Sequence, residues 1–156
     1  MANIQLVVFE INGSEYGIDA LAVNGILRSK KFKVQKIPGV PEVIEGMINL
    51  RGQVNYIYNL RTKFGLKEVA IEDESKFIML NIGSRVVGCI VDEVTDIVRF
   101  DDAELEPAPN LSASHNMKYL KGIGKVEDRM IIILDPLELL STDETLDLSP
   151  DLLRNC

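Results

Sequence analysis

The apolar residues of this chain fall in short runs rather than long stripes. Segments 5–11, 54–60, 76–82, 86–91 and 129–134 are rich in Val, Ile, Leu, Tyr and Phe and are bounded by Gly, Asn and Asp, which is the pattern of β-strands. Between two of them lies Asn81-Ile82-Gly83-Ser84-Arg85, and after the first comes Asn12-Gly13-Ser14-Glu15. Both predict hairpin turns, because Asn and Gly tolerate the left-handed backbone that tight turns need. Helical signals are few: 41–45 predicts one turn ending at Gly46, and Asp135-Pro136 followed by Leu-Glu-Leu-Leu predicts an N-cap, a first-turn proline and an apolar helical face. The pattern predicts an all-β fold with short helices.

The runs also repeat. With Gly17 set on Gly88, Val23, Ile26 and Leu27 fall on Val94, Ile97 and Val98; with Gly46 set on Gly122, segment 43–47 matches 118–123 in character. Each half then supplies a polar turn (Arg51-Gly52, or Asp128-Arg129), a strand and a short apolar helix start. Two copies of such a unit suggest two small five-stranded β-barrels, since closure removes exposed strand edges. The expected division is a domain over 1–141, made of barrels at roughly 12–66 and 76–141 with exchange of strands between them allowed, and an acidic tail over 142–156. Barrels of about 70 residues are marginal alone, so they should share an interface, and a groove between them is the natural place for a ligand.

Composition narrows the function. At 156 residues and 46% hydrophobic the chain can build a real core, and its formal net charge of -7 argues against broad binding to nucleic acid or anionic membranes. Protein partners are expected instead. Cys89 lies inside an apolar run and Cys156 is far from it, which suits a reduced, buried thiol better than a disulfide. No cationic leader precedes the first apolar stretch, and no run approaches the roughly eighteen residues of a membrane helix, so a cytoplasmic protein without membrane insertion is expected.

The chemistry of enzymes lacks its parts. One histidine, His115, cannot make a histidine metal cluster, and no Gly-x-Ser-x-Gly, His-Glu-x-x-His or phosphate-loop motif occurs. The acidic run Asp92, Glu93, Asp96, Asp101, Asp102, Glu104, Glu106 has no glycine for a calcium loop, and reads as a solvated strand end and loop. No cofactor or metal is expected. One basic cluster, Arg28, Lys30, Lys31, Lys33 and Lys36, breaks the acidic background; alternation of Phe32 and Val34 with Lys31 and Lys33 predicts a strand with one cationic face. Such a face discourages edge aggregation or meets an acidic partner. An oligonucleotide-binding barrel is the alternative function, but it would want stacking aromatics and positive charge, and the chain has no Trp and 6% aromatics.

Six motifs in order then resemble one family over about residues 4–141. They are Glu15-Tyr16-Gly17-Ile18-Asp19, Gly46-Met47-Ile48-Asn49-Leu50-Arg51-Gly52, Leu60-Arg61-Thr62-Lys63-Phe64-Gly65, Val86-Val87-Gly88-Cys89-Ile90-Val91-Asp92-Glu93-Val94, Leu105-Glu106-Pro107-Ala108-Pro109, and Tyr119-Leu120-Lys121-Gly122-Ile123-Gly124 leading to Asp128-Arg129-Met130. The chain resembles the CheW family of chemotaxis coupling proteins. That resemblance implies two five-stranded barrels and a catalytically inert scaffold. It also implies partners: chemoreceptor tip helices and the regulatory domain of the histidine kinase CheA, with rings of alternating CheA and CheW units at receptor arrays.

The resemblance and the repeat together nominate Val23, Gly25, Ile26, Gly46, Arg51, Gly88, Val94 and Ile97 as partner-binding residues. Val23, Ile26, Val94 and Ile97 are expected near the seam, some of them forming a groove for an amphipathic receptor helix. Arg51, from the family-like Asn-Leu-Arg-Gly motif, is expected near the barrel junction, where its planar fork of donors could pin carbonyls or a carboxylate. The chain departs from the family where a glutamate, a proline and an aspartate are usual and it has Gly25, Tyr56 and Asn59. The Gly25 departure bears on receptor choice.

Overall fold

The computed structural model describes residues 3–67, 74–101, 104–107 and 119–140. Strands β1 (Asn3–Ile11), β2 (Ser14–Asp19), β3 (Val23–Arg28), β4 (Ile44–Leu50), β5 (Gln53–Asn59), β6 (Lys76–Ile82), β7 (Arg85–Val91), β8 (Glu93–Asp101), β9 (Leu105–Pro107), β10 (Leu120–Val126) and β11 (Arg129–Leu134) dominate, with short helices α1 (Leu60–Lys63) and α2 (Pro136–Leu140). The protein is mostly β, as expected. They form a first sheet in the order β8-β1-β2-β11-β10-β9 and a second in the order β3-β6-β7-β5-β4.

Both sheets are barrel-like, and neither closes by a continuous hydrogen-bonded ladder. In the second sheet, β3 leads through a turn of 3-10 helix at Ser29–Lys31 to Gln35, which exchanges both backbone hydrogen bonds with Met47 of β4 at 2.9 Å. The chain thus passes from one edge strand to the opposite one. In the first sheet β9 sits on β10 in the equivalent place, with Glu106 opposite Ile123, and its separate three-residue strand raises the count there to six. The predicted cationic strand is correspondingly reduced: Gln35 alone in the segment bridges to a strand, while Phe32 and Val34 still turn inward and Lys31 and Lys33 outward.

The duplication holds residue by residue. Gly17 and Gly88 pair in parallel with Ile133 and Ile57, and Gly46 and Gly122 pair with those same isoleucines. Bulges fall at matching points, at Asn24 and Thr95 and at Glu45 and Lys121. The exchange between halves is a reciprocal swap of one hairpin. β1–β2, from the first repeat, completes the sheet of β8–β11, and β6–β7, from the second, completes the sheet of β3–β5. Sheet membership therefore changes between β2 and β3 and again between β7 and β8.

That swap explains why the central strands are apolar on both faces. Leu6 and Val8 enter a core inside the first sheet, and Phe77 and Met79 one inside the second. Val7, Phe9 and Ile11 instead meet Ile78, Leu80 and Ile82 in a large core between the sheets. Cys89 is fully buried there, and burial pushes its thiol up to about 12. Helix caps follow the sequence: Asp135 Oδ1 accepts from the Leu137 and Glu138 N–H groups at 3.0 and 3.3 Å, and Asn59 Oδ1 accepts from those of Arg61 and Thr62 at 2.9 and 3.4 Å. Asn59 and Tyr56 are buried, so both departures from the family pattern lie inside the fold. In place of the helical turn predicted over 41–45 stands a non-helical turn closed by Ile44 N–H to Pro41 O, and β4 begins at Ile44 and continues past Gly46. Three residues of the acidic run predicted as strand end and loop, Glu93, Asp96 and Asp101, lie in the nine-residue strand β8, kept in the sheet by its inward residues Val94, Val98 and Phe100. His115, Cys156 and the tail over 142–156 lie outside the described residues.

Glycine is required where backbones meet. A Cβ on Gly46 would stand 2.4 Å from the Gln35 carbonyl oxygen, which cannot retreat without opening the barrel closure. A Cβ on Gly25 meets nothing within 4 Å. Gly46→Ala should therefore cost about 1–3 kcal/mol, and Gly25→Ala should be close to neutral; urea unfolding of the two variants checks the contrast.

Candidate partner-binding surface

Val23 and Val94 lie at the starts of the two edge strands β3 and β8, Val94 just after Glu93, and both are half-buried against the core between the sheets. After the bulge the faces change over. Leu27 and Val98 turn into the cores of their own sheets, and Ile26 and Ile97 turn outward with 41% and 56% exposure. The four apolar positions thus do not form one groove. Two belong to the seam, and two are matching exposed positions on separate sheets.

The expected glycines divide in the same way. Gly46 and Gly88 are buried, and a Cβ on Gly88 would meet Ile57 Cδ1 at 2.6 Å and Met79 Sδ at 2.7 Å. They shape the interior and offer a partner no contact. Gly25 leaves open space at a position whose counterpart in the other half is Asp96. Asp96 accepts from both terminal nitrogens of Arg129 at 3.0 Å, and Arg129 also grips Glu15 through Nε and Nη2 at 3.0 and 2.7 Å. One guanidinium so ties β11 to β2 and β8, and the second sheet has Gln53, Val86 and Gly25 in the corresponding places.

Arg51 is exposed at the tip of the β4–β5 hairpin and makes no hydrogen bond or ion pair among the described residues. Nothing draws it to the seam, because a two-residue turn projects its side chain into solvent. Its φ of 54° with Gly52 at 81° makes a type I′ turn, as at Asn12 and Gly13 with 55° and 81°. Asparagine is at home there; arginine is not.

Sequence reasoning missed a ladder of rings at the seam. Phe9, Tyr16, Phe64 and Tyr119 follow one another with centroids 5.8, 5.2 and 5.6 Å apart, and Lys63 Nζ lies 6.0 Å from the Tyr119 ring. Burial raises the phenol pKa of both tyrosines, and at Tyr119 the charge of Tyr16 adds to it. The available signal was that Tyr16, Phe64 and Tyr119 each sit in one of the six motifs. Beside this ladder Asp92 accepts from Arg61 Nη2 at 2.6 Å and from the Asn12 N–H at 2.9 Å, joining α1 to the β1–β2 turn.

Residues 5–144 match the family model of the CheW-like domain. The chain belongs to the CheW-like family. It is 36% identical over 140 residues to the chemotaxis protein CheW of Klebsiella aerogenes, covering 90% of this chain and 83% of that one. It is 34% identical over 147 residues to that of Bacillus subtilis, covering 94% and 93%. The crystal structure of the scaffolding protein TtCheW from Thermoanaerobacter tengcongensis superposes with a TM-score of 0.82 at 31% identity, covering 92% of this chain and 96% of that one. As a member of this chemotaxis scaffold family the chain is not an enzyme. Among the described residues no helix is long and apolar enough to cross a membrane, and no group of three or more His, Cys, Asp or Glu side chains is placed to hold a metal ion.

The Asp96–Arg129 contact carries a pH dependence of definite sign. Hydrogen bonds from Arg129, first, and from Thr95 hold the Asp96 carboxyl below its usual range against the opposing effect of burial. A carboxylate with a folded pKa below its unfolded value stabilises fully above about pH 4 and loses that stabilisation as the pH falls through the folded value. The stability difference between wild type and Asp96→Asn should therefore be constant near neutrality and shrink in acid, as read from urea midpoints across pH.

Proposed function

We propose that this CheW-like chain couples chemoreceptor tip helices to the regulatory domain of the histidine kinase CheA, working in the cytoplasm at receptor arrays in which CheA and CheW alternate. The observation that carries this reading is the pair of edge strands β3 and β8. Each presents an outward isoleucine on its own sheet, at matching positions but in different charged surroundings. A scaffold that joins two different proteins needs two such surfaces that do not compete. The core between the sheets holds them in fixed relation. Reconstitution tests the role: adding the protein to receptor and CheA should raise receptor-controlled autophosphorylation, and kinase output indifferent to it would end the proposal.

Ile26 and Arg51 are the partner contacts that the geometry supports best. Ile26→Ala removes an exposed side chain, so the melting temperature should hold while partner binding weakens by about 1–2 kcal/mol. Gly25→Glu, entering open space, should change receptor preference and leave the fold intact. Arg51 occupies a left-handed position that costs an ordinary residue about 1–2 kcal/mol, and strain that is retained is a mark of function. Arg51→Asn should therefore raise stability in thermal melts while weakening assembly with receptor and kinase; loss of stability, or unchanged binding, would remove Arg51 from the surface.

A further inference from the structure

The internal repeat sets two versions of one place side by side. Beside the second sheet, Arg61 of α1 binds Asp92 at 2.6 Å. The chain beyond α1 then turns back over Arg61: Leu66 donates its N–H to the Arg61 carbonyl at 2.7 Å and packs against the core, and the Lys67 carbonyl accepts from Arg61 Nη1 at 3.4 Å. The equivalent residues beside the first sheet are Leu137 of α2 and Leu21 of the 3-10 turn Ala20–Ala22. Two leucines with 54% and 91% exposure thus stand where the other half has an ion pair. Leu21 and Pro136 border a depression of about 300 Å³ that Ile4, Leu6 and Ile133 also line. Lys121 stands at its margin, exposed and without an ion pair among the described residues, whereas its counterpart Glu45 is held by Lys36 and Asn59. The two carboxylates there are engaged as caps, Asp19 on the Leu21 N–H at 3.0 Å and Asp135 on α2.

We propose that the chain's own segment 141–148 docks on this face, with Leu146 and Leu148 against Leu21, Ala22 and Leu137 and its carboxylates toward Lys121. The other half supplies the precedent, because there the residues directly after the short helix cover the equivalent pair and bury a leucine in doing so. Both surfaces have changed together: where Arg61 and Asp92 became Leu137 and Leu21, the chain after the helix offers two leucines, and where Glu45 became Lys121 it offers Asp143, Glu144 and Asp147. The order Leu146-Asp147-Leu148 sets both leucines on one side of an extended segment and the carboxylate on the other. Reach is ample. Pro136 lies one helical turn, about 6 Å, before Leu140, and the six residues from Leu140 to Leu146 span up to about 20 Å. Covering the two leucines and the depression removes apolar surface from water, and the paired charge fixes the direction in which the segment lies. The contact is internal to one copy and independent of the partner-binding role.

A spin label on the segment reads the contact directly. Cys89 is sealed in the core, so the full-length variant Thr145→Cys/Cys156→Ser takes a thiol-reactive nitroxide at position 145 alone. The amide signals of Leu21, Ala22 and Leu137 should lose most of their intensity to paramagnetic broadening. Adding Leu146→Ser/Leu148→Ser should restore those signals, and Lys121→Glu should restore them in part, with an effect that fades as salt screens the charges. Because Leu21 and Leu137 are exposed, Leu21→Ser/Leu137→Ser leaves the fold intact and supplies a second measurement: its loss of stability in urea and that of Leu146→Ser/Leu148→Ser should sum to more than the loss of the combined variant, as for residues in contact. Unbroadened signals, broadening that survives the serine substitutions in the segment, or strictly additive losses would each overturn the proposal. Broadening passed from a labelled copy to a separate isotope-labelled one would assign the face to a second copy and overturn it as well.

Discussion

Neither half of this molecule can bury its own first hairpin, and the rest of the structure follows from that. β1–β2 completes the sheet of the second repeat and β6–β7 that of the first, so backbone ladders cross between the halves in both directions. The central strands must then be apolar on both faces, one toward their own sheet and one toward the other. Leu6 to Phe9 and Phe77 to Leu80 meet that demand without a polar interruption. A barrel deprived of the other half would lack two strands as well as half of the core between the sheets, which gives two small barrels the cooperativity of one domain.

Inside the cores, the two halves diverge in a compensating way. A Cβ on Gly124 would stand 2.6 Å from the Phe100 ring, which is buried in the first sheet's core. The counterparts of these two residues in the other half are Ile48 and Ser29, both buried. One core holds a large residue on the bent edge strand and none on the strand facing it; the other reverses the choice. Total volume is kept where packing density forbids a surplus or a void. The cap of α1 behaves similarly, since Asn59 retains the acceptor oxygen that an aspartate would supply while its Nδ2 donates to Glu45 at 2.9 Å.

The strands most legible in the sequence were those buried on both faces or closed by Gly-bearing turns. β1, β5, β6, β7 and β11 were read within two residues of their observed bounds, because burial on both sides leaves unbroken apolar runs. The edge strands β3 and β8 were read poorly. Their outward residues include Asn24, Arg28, Glu93, Thr95 and Arg99, and each carries a bulge that breaks the two-residue period. The repeat located equivalent positions correctly, but a bulge transfers side chains from one face to the other, and register arithmetic could not tell Val23 at the seam from Ile26 in solvent. The aromatic ladder was hidden for a different reason: Phe9, Tyr16, Phe64 and Tyr119 come from four distant segments that only the exchanged topology brings together.

Duplication inside a single chain supplies its own comparison between packing and recognition. Positions whose environment is dictated by the fold stay alike in both halves: Gly17 and Gly88, Gly46 and Gly122, Ile57 and Ile133, Val23 and Val94. Outward positions are alike at Ile26 and Ile97 and at Arg28 and Arg99, and differ elsewhere. Gly25 stands against Asp96, Lys30 against Asp101, and Arg51 against Glu127, the last two pairs with reversed charge. Arg51 and Glu127 also share a left-handed backbone, with φ of 54° and 55°, that neither side chain favours. The turn geometry is therefore common to both halves and the charge it displays is not. On the proposed role of holding unlike proteins in a fixed relation, the interior needs two solutions to one packing problem, and the exterior needs two different answers. The contrast between the halves points to the surface residues on which those answers rest.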